Sequence, residues 1–429
     1  MNETEINQSL ISFLNSSPSP FHAVHSMQGL LNAAGFSELL EEERWQLEPG
    51  CSYYVTRGGA AIIAFRLSYE PVDKTGIAMV GAHTDSPALK IKPVPELDKN
   101  GYRQLGVEVY GGALLNSWFD RDLSLAGRVS YLDQGGRLCS ELIDFHRAVA
   151  VIPSLAIHLD RKANSNRSIN AQTDIVPILG ITGEDGRWDL REQLAVELKT
   201  IGCEVVKVLD FDLHCYDTQP AALIGLDEEF IASARLDNLL SCYVGLQALL
   251  ASDPARTTLL VCTDHEEVGS ASHTGAHGTF LDAVLGRLAA DPEAKTRTMS
   301  QSMMISVDNA HGVHPNFADK HDANHGPLLN KGPVIKMNAS QRYASSSVTS
   351  GLFRHLCDQK SVPVQTFAVR SDMACGSTIG PIAAAQLGVN TLDVGVPTFA
   401  MHSVRELAGV KDPFFLYRAL VGFFERSND

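Results

Sequence analysis

Several short apolar segments in this chain run directly into ionisable side chains. The clearest case is 258–261, an apolar segment of strand length that leads into Asp264, His265, Glu266 and Glu267. Four ionisable groups at one strand end cost desolvation and mutual repulsion, so packing alone does not explain them. Since ligands bind beyond the carboxyl ends of strands in open α/β sheets, this pattern predicts a functional site on such a sheet.

The segment after residue 235 alternates between helical and strand patterns, which predicts a mostly parallel sheet with helices on both faces. Two amphipathic helices are predicted to lead the fold, and a final helix is predicted to begin at Asp412-Pro413 with Asp412 as its cap. The helical patterns cover 237–250, 277–290 and 347–359, and the strand patterns cover 75–86, 257–264, 302–308 and 363–369.

The chain has 429 residues, more than the roughly 300 at which single cores stop growing, so two domains are expected. Between residues 89 and 220 the pattern changes to alternating strands with Gly-Gly pairs, and one helix is predicted at 191–200. The strands predicted there are 89–94, 104–110, 128–133 and 155–160. We expect a discontinuous α/β domain, 1–88 and 235–429, interrupted by a smaller β-rich domain, 89–234.

His83 and Asp85 lie at the polar end of a predicted buried strand, 75–86. Residues two apart in a strand point the same way, so Asp85 could orient the imidazole of a metal-bound His83. A His-x-Asp triplet is also common by chance, and a structural role stays open.

Three further candidates have alternative interpretations of their own. Asp237 begins a predicted helix, where an N-cap is the alternative. Asp308 follows an apolar strand and could instead form a turn, and His402 by itself fits a core or surface histidine. Together with His83 and Glu267, these residues supply oxygen and imidazole donors suited to Zn²⁺ or Mn²⁺.

Five of these side chains can be arranged around two metal ions: Asp237 as the bridge, His83 and Asp308 on one ion, and Glu267 and His402 on the other. Two such ions would activate water for attack on a carbonyl group. Glu266 would then act as the general base.

Other catalytic motifs fit less well. The sequence contains no Gly-x-Ser-x-Gly elbow, because the nearest string, 376–380, has serine at its second position. It contains no His-Glu-x-x-His zinc motif, and its glycine pairs lack the context of a nucleotide-binding loop.

Charge and composition exclude further classes. The formal net charge of −15, without a basic block, argues against nucleic-acid or anionic-membrane partners. No run of 18 apolar residues predicts a membrane span, and Glu3 and Glu5 lie where a signal peptide would be basic. Eight scattered cysteines without a Cys-x-x-Cys pair predict reduced, mostly buried thiols and a cytoplasmic protein.

A series of ordered motifs across essentially the whole chain resembles the M18 metallopeptidases, the aspartyl aminopeptidase family. The motifs are 17–24 (SPSPFHAV), 81–86 (GAHTDS), 152–161 (IPSLAIHLDR), 234–238 (ARLDN), 265–270 (HEEVGS), 307–311 (VDNAH), 313–316 (VHPN), 332–336 (GPVIK), 341–343 (QRY), 371–381 (SDMACGSTIGP) and 401–406 (MHSVRE).

The resemblance implies the same five metal ligands with two Zn²⁺ per subunit, for which Mn²⁺ or Co²⁺ could substitute. It also implies Glu266 as base, Asp85 as an auxiliary acidic residue, and an inserted domain that makes dimer contacts within a tetrahedral dodecamer. In that assembly His158 reaches a neighbouring active site, a role that rests on the resemblance alone; by its pattern His158 is a strand histidine.

Family members often prefer an N-terminal Asp or Glu, and Lys336 and Tyr343 match positions that shape that pocket. A lysine would favour a substrate carboxylate, although a solvated strand-end lysine is the alternative. The predicted activity is removal of the N-terminal residue from peptides, with acidic preference. The alternatives are neutral or hydrophobic specificity, a two-metal deacylase or carboxypeptidase, and a scaffold protein without activity.

Overall fold

The computed structural model describes residues 1–183, 188–253 and 255–426. Its helices are, in chain order, α1 Glu3–Asn15, α2 Pro20–Ala33, α3 Val72–Thr75, α4 Leu190–Thr200, α5 Leu236–Ala251, α6 Phe280–Leu288, α7 Pro292–Gln301, α8 Ser347–Gln359, α9 Ile379–Leu387 and α10 Asp412–Phe424. Within the described ranges, no helix combines the length and apolarity needed to cross a bilayer.

The strands are, in chain order, β1 Ser37–Glu38, β2 Ser52–Arg57, β3 Ala61–Arg66, β4 Ile77–His83, β5 Ala88–Lys99, β6 Tyr102–Tyr110, β7 Leu123–Asp133, β8 Leu138–Asp144, β9 Ile178–Ile181, β10 Val205–Asp217, β11 Ala222–Ile224, β12 Phe230–Ser233, β13 Thr257–Thr263, β14 Met303–Val307, β15 Ala310–His311, β16 Val334–Met337, β17 Gln365–Ala368, β18 Asn390–Gly395, β19 Pro397–Phe399 and β20 Glu406–Gly409. The chain divides into two compact units, one of residues 1–86, 221–401 and 406–429, the other of 87–220 and 402–405.

The first unit contains a nine-stranded sheet in the order β1-β2-β3-β13-β4-β14-β18-β16-β17. Its centre, β13-β4-β14-β18, is parallel, and side chains alternate between the two faces of β4. Ala78 and Val80 join the core that also contains α1, α2, α5 and α10, whereas Ile77 and Met79 join the core with α6 and α7. The predicted helix-flanked parallel sheet is confirmed.

A second sheet of the first unit has the order β11-β12-β20-β19-β15. The segment 221–234, which the sequence pattern assigned to the inserted domain, lies in this unit because β12 pairs with β20 along its whole length. The segments on either side of the second unit are thereby brought into one body.

The second unit is β-rich, as expected. Its sheet has the order β8-β7-β10-β5-β6-β9, and α4 contributes Leu190, Leu194 and Leu198 to its core. The strand predicted at 155–160 is wrong, because this stretch is irregular, with a turn at 157–159. Leu155 and Leu159 are exposed there, so the alternating apolar pattern is not matched by a partner strand within the unit.

The predicted role of Asp412 as a helix cap also needs correction. Helix α10 begins at this residue, yet its carboxylate accepts N–H groups from outside the helix, from Asn330 at 2.6 Å and Gly332 at 2.8 Å. The side chain is fully buried. Asp412 therefore fastens the loop before β16 to the last helix.

Candidate metal centre

The carboxyl ends of three adjacent strands, β13, β4 and β14, form one edge of the nine-stranded sheet. Strand β4 ends at His83, β14 is followed by Asp308, and β13 is followed by a short 3-10 turn at Glu266–Val268. Because the strands run in parallel, the side chains that follow them collect at the same edge.

The first group that could hold a metal ion consists of His83, Asp237 and Asp308, whose donor atoms lie within 4.8 Å of one another. The Nε2 atom of His83 lies 3.5 Å from Oδ1 of Asp237 and 3.5 Å from Oδ1 of Asp308. All three residues are buried. One imidazole and two carboxylates converging in the interior form a donor set that suits Zn²⁺.

A second group shares His83 and adds Glu266 and Glu267, again with donor atoms within 4.8 Å. Both glutamates lie on the 3-10 turn, and the preceding residue, His265, has a left-handed backbone with φ 61°. This sharp change of direction turns the two neighbouring carboxylates toward the edge where His83 lies.

The electrostatics of this cluster favour bound positive charge. Burial alone lowers the pKa of His83, but Asp237, Asp308 and Asp85 outweigh it and hold that pKa well above its ordinary value. Burial, together with the neighbouring carboxylates and against the opposing effect of His83, raises the pKa of Glu266 to about 8. A divalent cation would relieve the same repulsion between carboxylates.

Asp85 supports both groups from behind. It is fully buried, and its two oxygens accept the backbone N–H groups of Glu266 and Glu267, each at 3.1 Å. The Nδ1 atom of His83 lies 3.1 Å from the carbonyl oxygen of Asp85 and 3.3 Å from its Oδ1. Since both partners are acceptors, Nδ1 holds a proton, and Nε2 is the nitrogen that faces the carboxylates of Asp237 and Asp308.

Asp237 does not cap its helix. The N-cap of α5 is Arg235, without a side-chain cap, and Asp237 has a non-helical backbone with φ −83° and ψ 106°. Its N–H donates to Oε2 of Glu406 at 2.9 Å, and its carbonyl accepts the hydroxyl of Ser86 at 2.5 Å. The backbone is therefore held from both sides while the carboxylate points to His83.

Glu406 is a buried residue beside the candidate site that sequence reasoning did not assign, although it lies within one of the motifs. It is 2 % exposed and lies on β20. An acidic residue at the start of a short apolar strand is the signal that could have indicated it, since carboxylates are buried only with partners. Its contact with the Asp237 N–H makes it a positioning residue.

His402 lies on the short segment 402–405 that belongs to the second unit. It has a left-handed backbone, with φ 68°, and its Nδ1 donates to the carbonyl oxygen of Gly112 at 3.2 Å. This bond selects the tautomer with Nε2 unprotonated, as a metal-binding histidine requires. Its role as a ligand stays a prediction.

The predicted substrate residues of the first unit, Lys336 and Tyr343, are both buried. The ammonium of Lys336 donates to Oδ2 of Asp308 at 3.2 Å and lies 5.4 Å from the ring centre of Tyr343. Lys336 is thus not the solvated strand-end lysine considered as its alternative. His158, in the second unit, is exposed and lies in a turn.

A family model described as aminopeptidase I zinc metalloprotease (M18) matches residues 13–424. This chain belongs to the M18 family of aminopeptidases. It is a metallo-aminopeptidase, a hydrolase that uses zinc.

Relatives in this family match nearly the full length of this chain. The chain is 58% identical over 421 residues to "Probable M18 family aminopeptidase 2" of Stutzerimonas stutzeri, and the match covers 98% of each chain. It is similar to a solved structure described as the Ape4 and Nbr1 complex, with a TM-score of 0.95, 39% identity, and 98% of this chain and 86% of the other covered. It is also similar to the S. cerevisiae mApe1 dodecamer, with a TM-score of 0.85, 28% identity, and 99% and 97% covered.

Proposed function

We propose that this aminopeptidase holds two zinc ions and releases the N-terminal residue of peptides with Glu266 as general base. The observation that carries the proposal is the convergence of His83, Asp237, Asp308, Glu266 and Glu267 at one sheet edge. The assigned holders are His83, Asp237 and Asp308 for one ion, and Asp237, Glu267 and His402 for the other. When bound, such ions lower the pKa of water and offset negative charge on a carbonyl oxygen.

Three side chains of the protein have separate roles beside the metal ions. Glu266 accepts a proton from the attacking water and returns it to the leaving amine. Asp85 holds the backbone of Glu266 and Glu267 through its two accepted hydrogen bonds. Glu406 holds the backbone of Asp237.

The test is an assay of the zinc-loaded protein on a panel of aminoacyl substrates and on the same substrates with acetylated N-termini. Glu266→Gln should lower kcat by roughly 10² to 10⁴, the usual contribution of a general base, while bound zinc is retained. Glu43→Gln, at an exposed position, is the matched control and should keep full activity. An unchanged rate in Glu266→Gln, or faster cleavage of acetylated substrates, would refute the proposal.

Acidic specificity is assigned to Lys336, with Tyr343 beside it. Its buried ammonium can form a charge-assisted hydrogen bond to the side-chain carboxylate of an N-terminal Asp or Glu. The contact with Asp308 favours a second candidate, specificity for neutral residues, because this carboxylate already neutralises the lysine. Comparing kcat/KM for Asp, Glu, Leu and Ala substrates decides between acidic and neutral specificity.

We propose that the active form is a homo-oligomer in which dimers assemble into a tetrahedral dodecamer. The second unit makes the dimer contacts. One structural relative is described as a dodecamer, and Leu155, Ile157 and Leu159, which flank His158, are exposed. In such an assembly His158 would act in a neighbouring subunit. Mass measurement in solution, with His158→Ala assayed beside it, tests the assignment; a fully active monomer would contradict it.

We also propose that the protein is located in the cytoplasm. All eight cysteines lie in the described part of the chain and are free thiols, four of them buried. Unpaired cysteines are typical of reducing compartments.

A further inference from the structure

The start of α5 is joined to the end of β14 by one buried side chain. Asn238, the residue after Asp237, has a non-helical backbone and is fully buried. Its Nδ2 group donates to the carbonyl oxygen of Val307 at 2.8 Å, across 69 positions of the chain. Val307 directly precedes Asp308. A single side-chain hydrogen bond therefore links the two backbone segments that carry Asp237 and Asp308.

The same helix is also joined to the third segment that carries a candidate ligand. The thiol of Cys242, one turn further along α5, donates to the carbonyl oxygen of His83 at 3.0 Å. Cys242 is fully buried as well. Because His83 ends β4 and Val307 ends β14, α5 contacts the backbone at the end of each strand. The relative positions of His83, Asp237 and Asp308 thus depend on this helix.

The spacing of the two aspartates is important because both carboxylates are assigned to the same ion. Oδ1 of Asp237 and Oδ1 of Asp308 each lie 3.5 Å from Nε2 of His83. Metal–ligand distances in proteins stay within about 0.2 Å of their preferred values. A displacement of the Val307 carbonyl would move Asp308, the next residue along the chain. The hydrogen bond from Asn238 is therefore placed where it controls the distance between two ligands.

We propose, on the basis of the two-metal centre assigned under the proposed function, that Asn238 is a positioning residue: it fixes the separation of Asp237 and Asp308 and thereby the affinity for the ion that they share. It acts through these two carboxylates and is not itself a ligand, since its amide is turned to Val307. Its Oδ1 atom has no hydrogen-bond partner within the described ranges. Exchanging the two amide atoms would place two acceptors against each other, so the carbonyl fixes the orientation of the amide.

The chain contains a matched control for this residue. Asn7, on α1, is 3 % exposed, and its Nδ2 group donates to the carbonyl oxygen of Val410, also at 2.8 Å. Its Oδ1 atom likewise has no hydrogen-bond partner among the residues that the structure describes. Neither Asn7 nor Val410 is a sequence neighbour of a candidate ligand. Asn7→Leu and Asn238→Leu therefore remove the same groups at similar burial, and only the second should alter the metal centre.

The experiment compares wild type, Asn238→Leu and Asn7→Leu. Zinc affinity is measured by competition with a chromogenic chelator, and the free energy of unfolding of the metal-free proteins is measured by denaturant titration. In Asn238→Leu, one of the two zinc ions should bind about 10- to 100-fold more weakly, the range for residues that orient metal ligands. Asn7→Leu should keep wild-type zinc affinity. The two variants should lose similar amounts of stability without metal, because they lose the same hydrogen bond.

Wild-type zinc affinity in Asn238→Leu would overturn the inference, and so would an equal loss of zinc affinity in both variants, because the bond would then serve helix packing alone. Should leucine prevent folding at position 238, the pair Asn238→Ala and Asn7→Ala decides by the same comparison. A failure of the proposed function looks different. The wild type itself would then bind fewer than two zinc ions, before any variant is compared.

Discussion

At the carboxyl edge of the nine-stranded sheet, Asp237, Asp308, Glu266 and Glu267 surround a single buried histidine. At the amino edge, where the parallel strands begin, the charged residues in the described wall of a cavity are cations. The acidic arrangement does not stabilise an isolated fold, because like charges in a low dielectric repel one another. The contrast teaches that the carboxyl edge gathers carboxylates closely enough to favour bound positive charge, whereas the cations at the amino edge stand among neutral lining residues.

Removal of the metal is the strongest test of the metal centre proposed at the carboxyl edge. Dialysis against a chelator should abolish activity and lower the free energy of unfolding, because bound ions stabilise only the folded state. Added zinc should restore both. Activity assays and thermal unfolding of chelated and reloaded samples measure the effect, and full activity of a demonstrably metal-free protein would contradict the proposed centre.

Asp85→Asn tests the support behind that centre. Asparagine has one side-chain oxygen, so it cannot accept both backbone N–H groups that Asp85 accepts from Glu266 and Glu267. We expect zinc affinity or kcat/KM to fall about 10- to 100-fold, the range for residues that orient metal ligands. Asp98→Asn, at an exposed position, is the control. Unchanged zinc affinity and kinetics would remove Asp85 from the site.

Lys336→Met tests whether this lysine gives the site its specificity for substrates with an N-terminal Asp or Glu. The change removes the buried charge and keeps the chain length, so Asp and Glu substrates should lose about 1.5 to 3 kcal/mol of transition-state binding. Ratios of kcat/KM for Asp and Leu substrates measure it, and Lys331→Met, at an exposed position, is the control. An equal loss on Leu would instead assign Lys336 to Asp308, its partner at 3.2 Å.

The residues of the carboxyl edge differ in how far the sequence predicts them. Glu266 and Glu267 were recognisable because adjacent carboxylates follow an apolar strand, and the parallel order of strands explains why Asp308 lies near them. The supporting contact of Glu406 joins residues 169 positions apart, and no local pattern encodes it.

Local sequence patterns also gave wrong predictions of a helix cap and of a strand, because hydrogen-bond partners are set by the fold. Asp412 has the sequence of a cap, yet its carboxylate accepts two N–H groups from a loop some 80 positions earlier in the chain. The stretch 155–160 alternates like a strand, but a strand needs a neighbour to satisfy its backbone, and its pattern alone cannot supply one.

Asp412→Ala tests whether a buried carboxylate outside the metal centre contributes to stability and not to zinc binding or activity. It leaves two backbone N–H groups without their acceptor, so the free energy of unfolding should fall by about 2 to 4 kcal/mol. Zinc content and kcat of the folded fraction should not change. Denaturant titration measures the first effect, and a loss of zinc with stability intact would place Asp412 with the metal site instead.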